Sequence, residues 1–179
     1  PDDMTPLVLT LIGDDRAGLV SAVATAVAGH GGNWDRSQMA ELAGKFAGIV
    51  LVTIPDGRVD DFTAALEPLH GLLDVTVQRA GEAVATPAAE AGTTRWTLEL
   101  LGTDHPGIVS DISGVLADHG VNIEGFTSST REATMASGML FEAVADLDVP
   151  AGTDVHALRA ALEDLANELM VDIDFGTDV

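Results

Sequence analysis

The chain has 179 residues, no cysteine, and a formal charge of -21 from 29 acidic and 8 basic side chains. Disulfides, thiolate chemistry and cysteine metal sites are therefore excluded, and direct phosphate-backbone binding, which needs clustered Lys and Arg, is disfavoured because no two basic residues are adjacent. With no apolar run near the ~18–20 residues of a membrane span and no signal-peptide pattern at the N-terminus, the expectation is a soluble cytoplasmic protein.

Residues 1–6 read as a polar, frayed leader. Leu7 to Ile12 is a short apolar run bounded by glycine, the pattern of a mid-sheet strand. Gly13 to Gly18 reads as a turn, after which Leu19, Val20, Val23 and Val27 mark one helical face, closed by His30-Gly31-Gly32. Asn33 to Leu42 reads as a second strand in which Trp34, Arg36, Gln38 and Ala40 alternate with Asp35, Ser37, Met39 and Glu41. Ala43-Gly44-Lys45 is a hairpin turn, and Phe46 to Ile54 is a third, apolar strand ended by Pro55-Asp56-Gly57. Val59, Phe62, Leu66 and Leu69 share one side of a second helix, with Asp60 and Asp61 at its positive end. Leu72 to Arg79 is the fourth strand.

After a segment rich in Ala, Glu, Gly and Thr with no core period, the same order returns. Arg95 to Leu101 is a strand, and Ile108, Val109, Ile112, Val115 and Leu116 form a helical face closed by His119-Gly120. Val121 to Glu132 and Met135 to Val149 are strands, the latter with Met139, Phe141, Ala143, Ala145 and Leu147 on one face. A helix starting near Asp154 carries Val155, Leu158, Leu162 and Leu165, and Met170 to Phe175 is the last strand.

The two halves are copies. Val8 to Trp34 aligns with Thr97 to Ile123 at a constant shift of 89 residues without gaps, and about 11 of these 27 positions are identical, among them Gly13, Asp15, Gly18, Val20, Ser21, His30, Gly31 and Asn33. A duplicated β-α-β-β-α-β order predicts an α+β protein of two ferredoxin-like units, each a four-stranded antiparallel sheet with both helices on one face. The expected boundaries are a first domain over residues 5–80, a linker over 81–94 and a second domain over 95–177. Two such units in one chain are expected to pair with each other through edges or faces, and to dimerise further.

The repeated turn carries the chemistry. Gly13, Gly18, Gly102 and Gly107 allow close backbone approach, free N–H groups at a helix N-terminus attract a carboxylate, and Asp15 and Asp104 are able to cap the helix or to accept from a ligand ammonium. Donors beside an acceptor suit a zwitterion, although the same turn also caps a helix without any ligand. Pro106 falls where a missing N–H costs little. His30 and His119 precede helix-ending glycines and read as structural. His105 has no Ser or Cys nucleophile at a motif spacing. Asp172 and Asp174 alternate on a strand without a further metal ligand at a set spacing. No Walker loop, no GxGxxG and no catalytic constellation is present, so no cofactor, no metal and no enzymatic activity are expected.

Strand, Gly-x-Asp-Arg-Ala-Gly-Leu-Val and a helix ending His-Gly-Gly-Asn resemble the ACT domain, a small-molecule-binding regulatory module. The second copy, with Gly102-Thr103-Asp104-His105-Pro106-Gly107-Ile108-Val109 and Gly120-Val121-Asn122-Ile123, follows that pattern more closely. The tandem arrangement, with Asn33 to Ala40 followed by Gly44 to Ile49, resembles the glycine cleavage system transcriptional repressor-like proteins. This resemblance implies a ferredoxin-like fold, binding of an amino acid or similar small zwitterion at an interface between paired domains, and signalling to a protein partner in transcriptional regulation of amino-acid metabolism. It carries ligand contacts onto Gly13, Asp15, Ala17, Gly18, Leu19 and Asn33, and onto Gly102, Asp104, Pro106, Gly107, Ile108 and Asn122. Ala17 stands where the family's proline is usual, and Asp15 and Asp104 stand where asparagine is frequent, which keeps an acceptor but removes an amide donor. The second turn is therefore where ligand is expected first. The same resemblance leaves open a ligand-free assembly module or the detached regulatory part of an enzyme, since ACT units precede catalytic domains in some phosphoserine phosphatases and in formyltetrahydrofolate deformylases.

Overall fold

The computed structural model describes residues 3–15, 17–80, 92–135 and 138–177. The chain divides into two compact units, Pro1–Ala85 and Thr86–Val179. Most of the expected linker, residues 81–91, lies outside the described residues.

The first unit runs β1 (Met4–Asp14), α1 (Leu19–Gly29), β2 (Asn33–Leu42), β3 (Lys45–Pro55), α2 (Val59–Leu66) and β4 (Leu73–Arg79). Its sheet order is β2-β3-β1-β4, with every neighbouring pair antiparallel. Each helix therefore crosses over one intervening strand, giving two interleaved βαβ crossovers. The second unit repeats this as β5 (Thr93–Thr103), α3 (Ile108–Asp118), β6 (Asn122–Glu132), β7 (Met139–Pro150), α4 (Val155–Leu169) and β8 (Val171–Thr177), in the order β6-β7-β5-β8. Both units have the predicted α+β, ferredoxin-like βαββαβ architecture.

Each sheet buries one face against its helices. Leu7, Leu9 and Leu11 alternate inward from β1 and meet Leu19, Val23 and Val27 of α1 and Phe62 and Leu66 of α2. In the second unit Leu98 and Leu100 meet Ile108, Ile112 and Leu116 of α3 and Leu158, Leu162 and Leu165 of α4. Each fully buried Leu or Phe contributes about 1.5–3 kcal/mol, and these stripes fix which face of every strand points inward.

Several local expectations change. Met4 to Pro6 is not frayed: these residues pair with Pro55, Ile54 and Thr53 and extend β1. At its other end β1 continues through Gly13 and Asp14, so the turn starts only at Asp15. Likewise Thr93 and Thr94 pair with Val149 and Pro150 at the start of β5. Val20 and Val109, expected on the buried faces, are 37% and 44% exposed. They sit one position, or about 100° of helix, away from the 19/23/27 and 108/112/116 stripes. Met135 is 98% exposed and precedes β7, which begins at Met139 where pairing with Glu132 starts. Leu69 lies beyond α2, in a 3-10 turn that holds Pro68, because proline cannot continue the α-helical ladder. α4 starts next to Asp154 as expected, and Asp154 caps it, its Oδ1 accepting from Ala157 N at 3.0 Å.

The alternation of the second strand fails at one residue. The register slips between Trp34 and Arg36 and, at the equivalent place, between Ile123 and Gly125. Asp35 and Glu124 are the extra residues of these β-bulges. The bulge flips the rest of the strand, so that Trp34 and Met39, five residues apart, both pack against the core.

Candidate functional site

Two glycines with different tasks frame the turn after β1, one at the end of the strand and one at the start of the helix. A Cβ on Gly13 would lie 2.6 Å from Leu72 O and 2.9 Å from Leu73 Cδ2, and one on Gly102 would lie 2.8 Å from Val171 Cβ and 3.0 Å from Val171 Cα. The close approach these glycines allow is to the neighbouring strand of the same sheet, not to an open site. Gly18 and Gly107, by contrast, are the N-cap residues of α1 and α3 and are left-handed, with φ of 92° and 95°. Only glycine adopts that conformation cheaply. Among the described residues no side chain caps either helix, so Asp15 and Asp104 do not play the capping role the sequence allowed.

The first intrahelical bonds are Ala22 N to Gly18 O and Asp111 N to Gly107 O, both 2.9 Å. The N–H groups of Leu19, Val20 and Ser21, and of Ile108, Val109 and Ser110, thus have no acceptor among the described residues. Among the described residues each turn thus presents a row of unbonded donors at the positive end of a helix, in a loop that also holds Asp15 or Asp104. The two differ electrostatically. The first turn of α1 has no acidic residue, whereas that of α3 has Asp111. The second turn thus has Asp104 and Asp111 near its donors, and the first has Asp15 with the Lys45-paired Asp14 beside it.

The turns are tied down by backbone. Asp15 N donates to Gly44 O of the β2-β3 hairpin at 3.0 Å, and Lys45 pairs with Asp14 beside it. Asp104 N donates to Met139 O at 2.8 Å. The imidazole of His105 lies 3.1 Å from Leu169 O, at the last turn of α4, and 3.1 Å from Pro106 O. His105 thereby anchors the second turn to the C-terminus of a neighbouring helix. His30 and His119 are structural too. Each ring Nδ1 donates to the carbonyl four residues back, Ala26 O at 2.7 Å and Val115 O at 2.9 Å. The helices then end in matching Schellman motifs, with Gly32 N on Val27 O and Val121 N on Leu116 O, both 2.9 Å.

The turn and the asparagine of one unit do not meet. Asn33 pairs with Thr53, which pairs with Pro6 near the start of β1, while Asp15 follows the end of β1. Eight to nine strand residues separate them, or about 25–30 Å. In the second unit Asn122 pairs with Asp148 and hence with Arg95, again at the opposite end from Asp104. Gly13, Asp15, Ala17, Gly18 and Leu19 are brought together, as are Gly102, Asp104, Pro106, Gly107 and Ile108. Asn33 and Asn122 belong elsewhere.

Each asparagine has a partner that sequence reasoning missed. Asn33 Nδ2 donates to Asp35 Oδ1 at 2.5 Å, and Asn122 Nδ2 points at Glu124 Oε1 at 3.4 Å. The partner is the bulged residue in both units. The signal was legible as Asn-x-Asp and Asn-x-Glu at one repeat position. Glu124 is further influenced by β7. A hydrogen bond to Asp148 raises its pKa above the ordinary carboxylate range, with burial and the Asp148 charge adding to the rise and Arg95 and Asn122 opposing it.

The sheet faces away from the helices also differ. In the first unit that face presents Val8, Thr10, Ile12, Ala47, Ile49 and Leu51 at its centre. In the second, alternation places Glu99, Glu142, Asp146, Asp148, Asp172 and Asp174 there, with Arg95 and Arg131 as counter-charges. Arg131 Nε donates to Glu142 Oε1 at 2.6 Å, and Arg95 lies 3.9 Å from Asp148. Among the described residues no group of three or more His, Asp or Glu side chains is arranged to hold a metal ion.

Two ferredoxin-like units with matching helix-terminal turns define a duplicated α+β module without an evident catalytic constellation among the described residues. Comparison with known proteins makes this specific: ACT domain profiles match residues 5–79 and residues 96–167, and the chain is a tandem ACT-domain protein. Among curated proteins it is similar to a UPF0237 protein of Methanopyrus kandleri, 38% identical over 80 residues, covering 45% of this chain and 83% of the relative. Among solved structures it is similar to an unknown protein from Galdieria sulphuraria, with a TM-score of 0.87 and 29% identity over 99% of this chain and 100% of that one. It also shares its fold with a candidate glycine cleavage system transcriptional repressor, with a TM-score of 0.62 and 17% identity over 98% of this chain and 99% of the other. No described helix is long and apolar enough to cross a membrane.

Proposed function

We propose that this protein is a non-enzymatic sensor that binds an amino acid and passes its occupancy to a protein partner. The observation that carries the proposal is the pair of helix N-termini at Gly18 and Gly107, each with three N–H groups that have no acceptor among the described residues, in a turn that also holds Asp15 or Asp104. A ligand carboxylate fits the donors and a ligand ammonium fits the acidic side chain. Membership of the ACT family supports the regulatory role.

The separation of turn and asparagine within a unit has a direct consequence for this reading. A ligand the size of an amino acid reaches both only if the turn of one unit faces the Asn33 or Asn122 of another. The site then requires paired units, from the two halves of one chain or from a homodimer. On ligand arrival, the amide of Asn33 or Asn122 exchanges Asp35 or Glu124 for the ligand carboxylate. Signalling runs through a protein partner in a cytoplasmic setting, because 29 acidic against 8 basic residues oppose direct contact with nucleic acid. A role in transcriptional regulation of amino-acid metabolism follows the same reading.

Calorimetric titration of the full chain with the common amino acids tests the proposal. The expected result is saturable heat and a raised melting temperature with one amino acid or a small chemical group of them. Absence of both at millimolar concentration for every amino acid contradicts it.

A further inference from the structure

The second unit contains a cavity of about 90 Å3 between α3 and the strands β6 and β7. Its walls include Ile112, Leu116, Ile123, Phe141 and Ala145. Ser113 also borders it, but its hydroxyl donates to Ser110 O at 3.1 Å and is satisfied there. Val109 and Phe126 border it as well and are 44% and 43% exposed, so the cavity has an apolar rim that reaches the surface. A space of this kind offers water almost no hydrogen-bonding partners and favours apolar occupants.

The first unit shows what such a space accepts. At the equivalent place on its edge strand it carries Trp34, paired with Val52, where the second unit has Ile123, paired with Leu147. It carries Met39, paired with Gly48, where the second unit has Ser128, paired with Ala143. Trp34 and Met39 both pack against the first core. On the central strand Val50 stands where the second unit has the smaller Ala145. Three positions that are filled by larger apolar side chains in one copy are thus occupied by smaller ones in the other, around the same helix and sheet. Phe126, which replaces Ser37, stands at the rim rather than in the gap.

We infer that this cavity is a binding site for a small uncharged apolar group, a monocyclic aromatic ring or a branched aliphatic, entering between Val109 and Phe126 and taking the place that Trp34 and Met39 fill in the first unit. The site lies within one unit, and it stands whether or not the helix-terminal turns bind an amino acid.

Benzene is the probe, with imidazole as a polar ring of similar size, followed through the methyl resonances of Ile112, Leu116 and Ile123 in the full chain. The expected result is saturable shifts of these methyls with benzene and none with imidazole. Ile123→Trp and Ala145→Val, each of which installs the residue found in the first unit, are expected to weaken benzene binding at least tenfold without lowering the melting temperature. If Ile123→Trp does not fold, Ala145→Val alone decides. Absence of saturable shifts up to the solubility limit of benzene, equal response to imidazole, or unchanged affinity in the folded variants overturns the inference.

Discussion

Gly102, at the end of β5, and Gly107, at the N-terminus of α3, lie five residues apart and are constrained for opposite reasons. Gly102 is pressed against Val171, so Gly102→Ala forces the β5-β8 pair apart and is expected to cost about 1–3 kcal/mol by overpacking. Gly107 has space around it but a φ of 95°; Gly107→Ala is expected to cost about 1–2 kcal/mol through backbone strain alone. Urea denaturation of each variant separates the two, because Gly102→Ser should be worse than Gly102→Ala whereas Gly107→Asn should recover part of the loss. Glu124 gives a residue-scale prediction in pH. Its folded pKa is raised, so the stability from its shared hydrogen bond with Asp148 is fully present below the ordinary carboxylate pKa and is lost as pH rises through the raised value. Glu124→Gln keeps a donor toward Asp148 without the charge. Thermal melts should therefore show the variant gaining on the wild type as pH rises to neutrality, by no more than about a degree or two, since an exposed pair is well screened. An equal offset at all pH values would contradict this account.

The helix ends differ in kind. α4 begins with a side-chain cap, and Asp154→Ala is expected to cost about 1 kcal/mol. α1 begins with a left-handed glycine and no cap, so Asp15→Ala should change stability by less than about 0.5 kcal/mol. Equal losses in chemical denaturation would mean that Asp15 caps α1 after all. These contrasts also show what could be read in advance. Element order, both helix-ending His-Gly pairs and the start of α4 near Asp154 were legible because each rests on a local signal: a change of apolar period, a terminator, a strand break before the helix. The bulges at Asp35 and Glu124 were not. Alternation is a count, and one unpaired residue reverses it without leaving a mark in composition. The inward turn of Met39, the exposure of Gln38 and the Asn33–Asp35 bond all follow from that one residue. Likewise the buried stripes of α1 and α3 were legible at spacing four, but Val20 and Val109 are as apolar as their neighbours, and only the position of the sheet decides that they face outward.

At the scale of the molecule, duplication produced two units with the same frame and different surfaces. The first keeps an apolar centre on its open sheet face, where Asp74 and Arg36 are flanking charges, and a filled core edge. The second has six carboxylates on that face and an open cavity under α3. The turn residues named from the sequence do gather at one end of each sheet. Their asparagine partners lie at the other end because β1 and β2 run parallel on either side of β3, with α1 returning the chain between them. That topological fact was available from the βαββαβ order, and it motivates the proposal that a complete site needs two units. The most direct measurement compares ligand affinity with folding stability in Asn33→Ala and Asn122→Ala, using the amino acid that the wild type binds. The account predicts that at least one of the two loses affinity tenfold or more while its stability changes by less than about 0.5 kcal/mol, as for an exposed side chain. Affinity that is unchanged in both, or that falls only in proportion to stability, would contradict it.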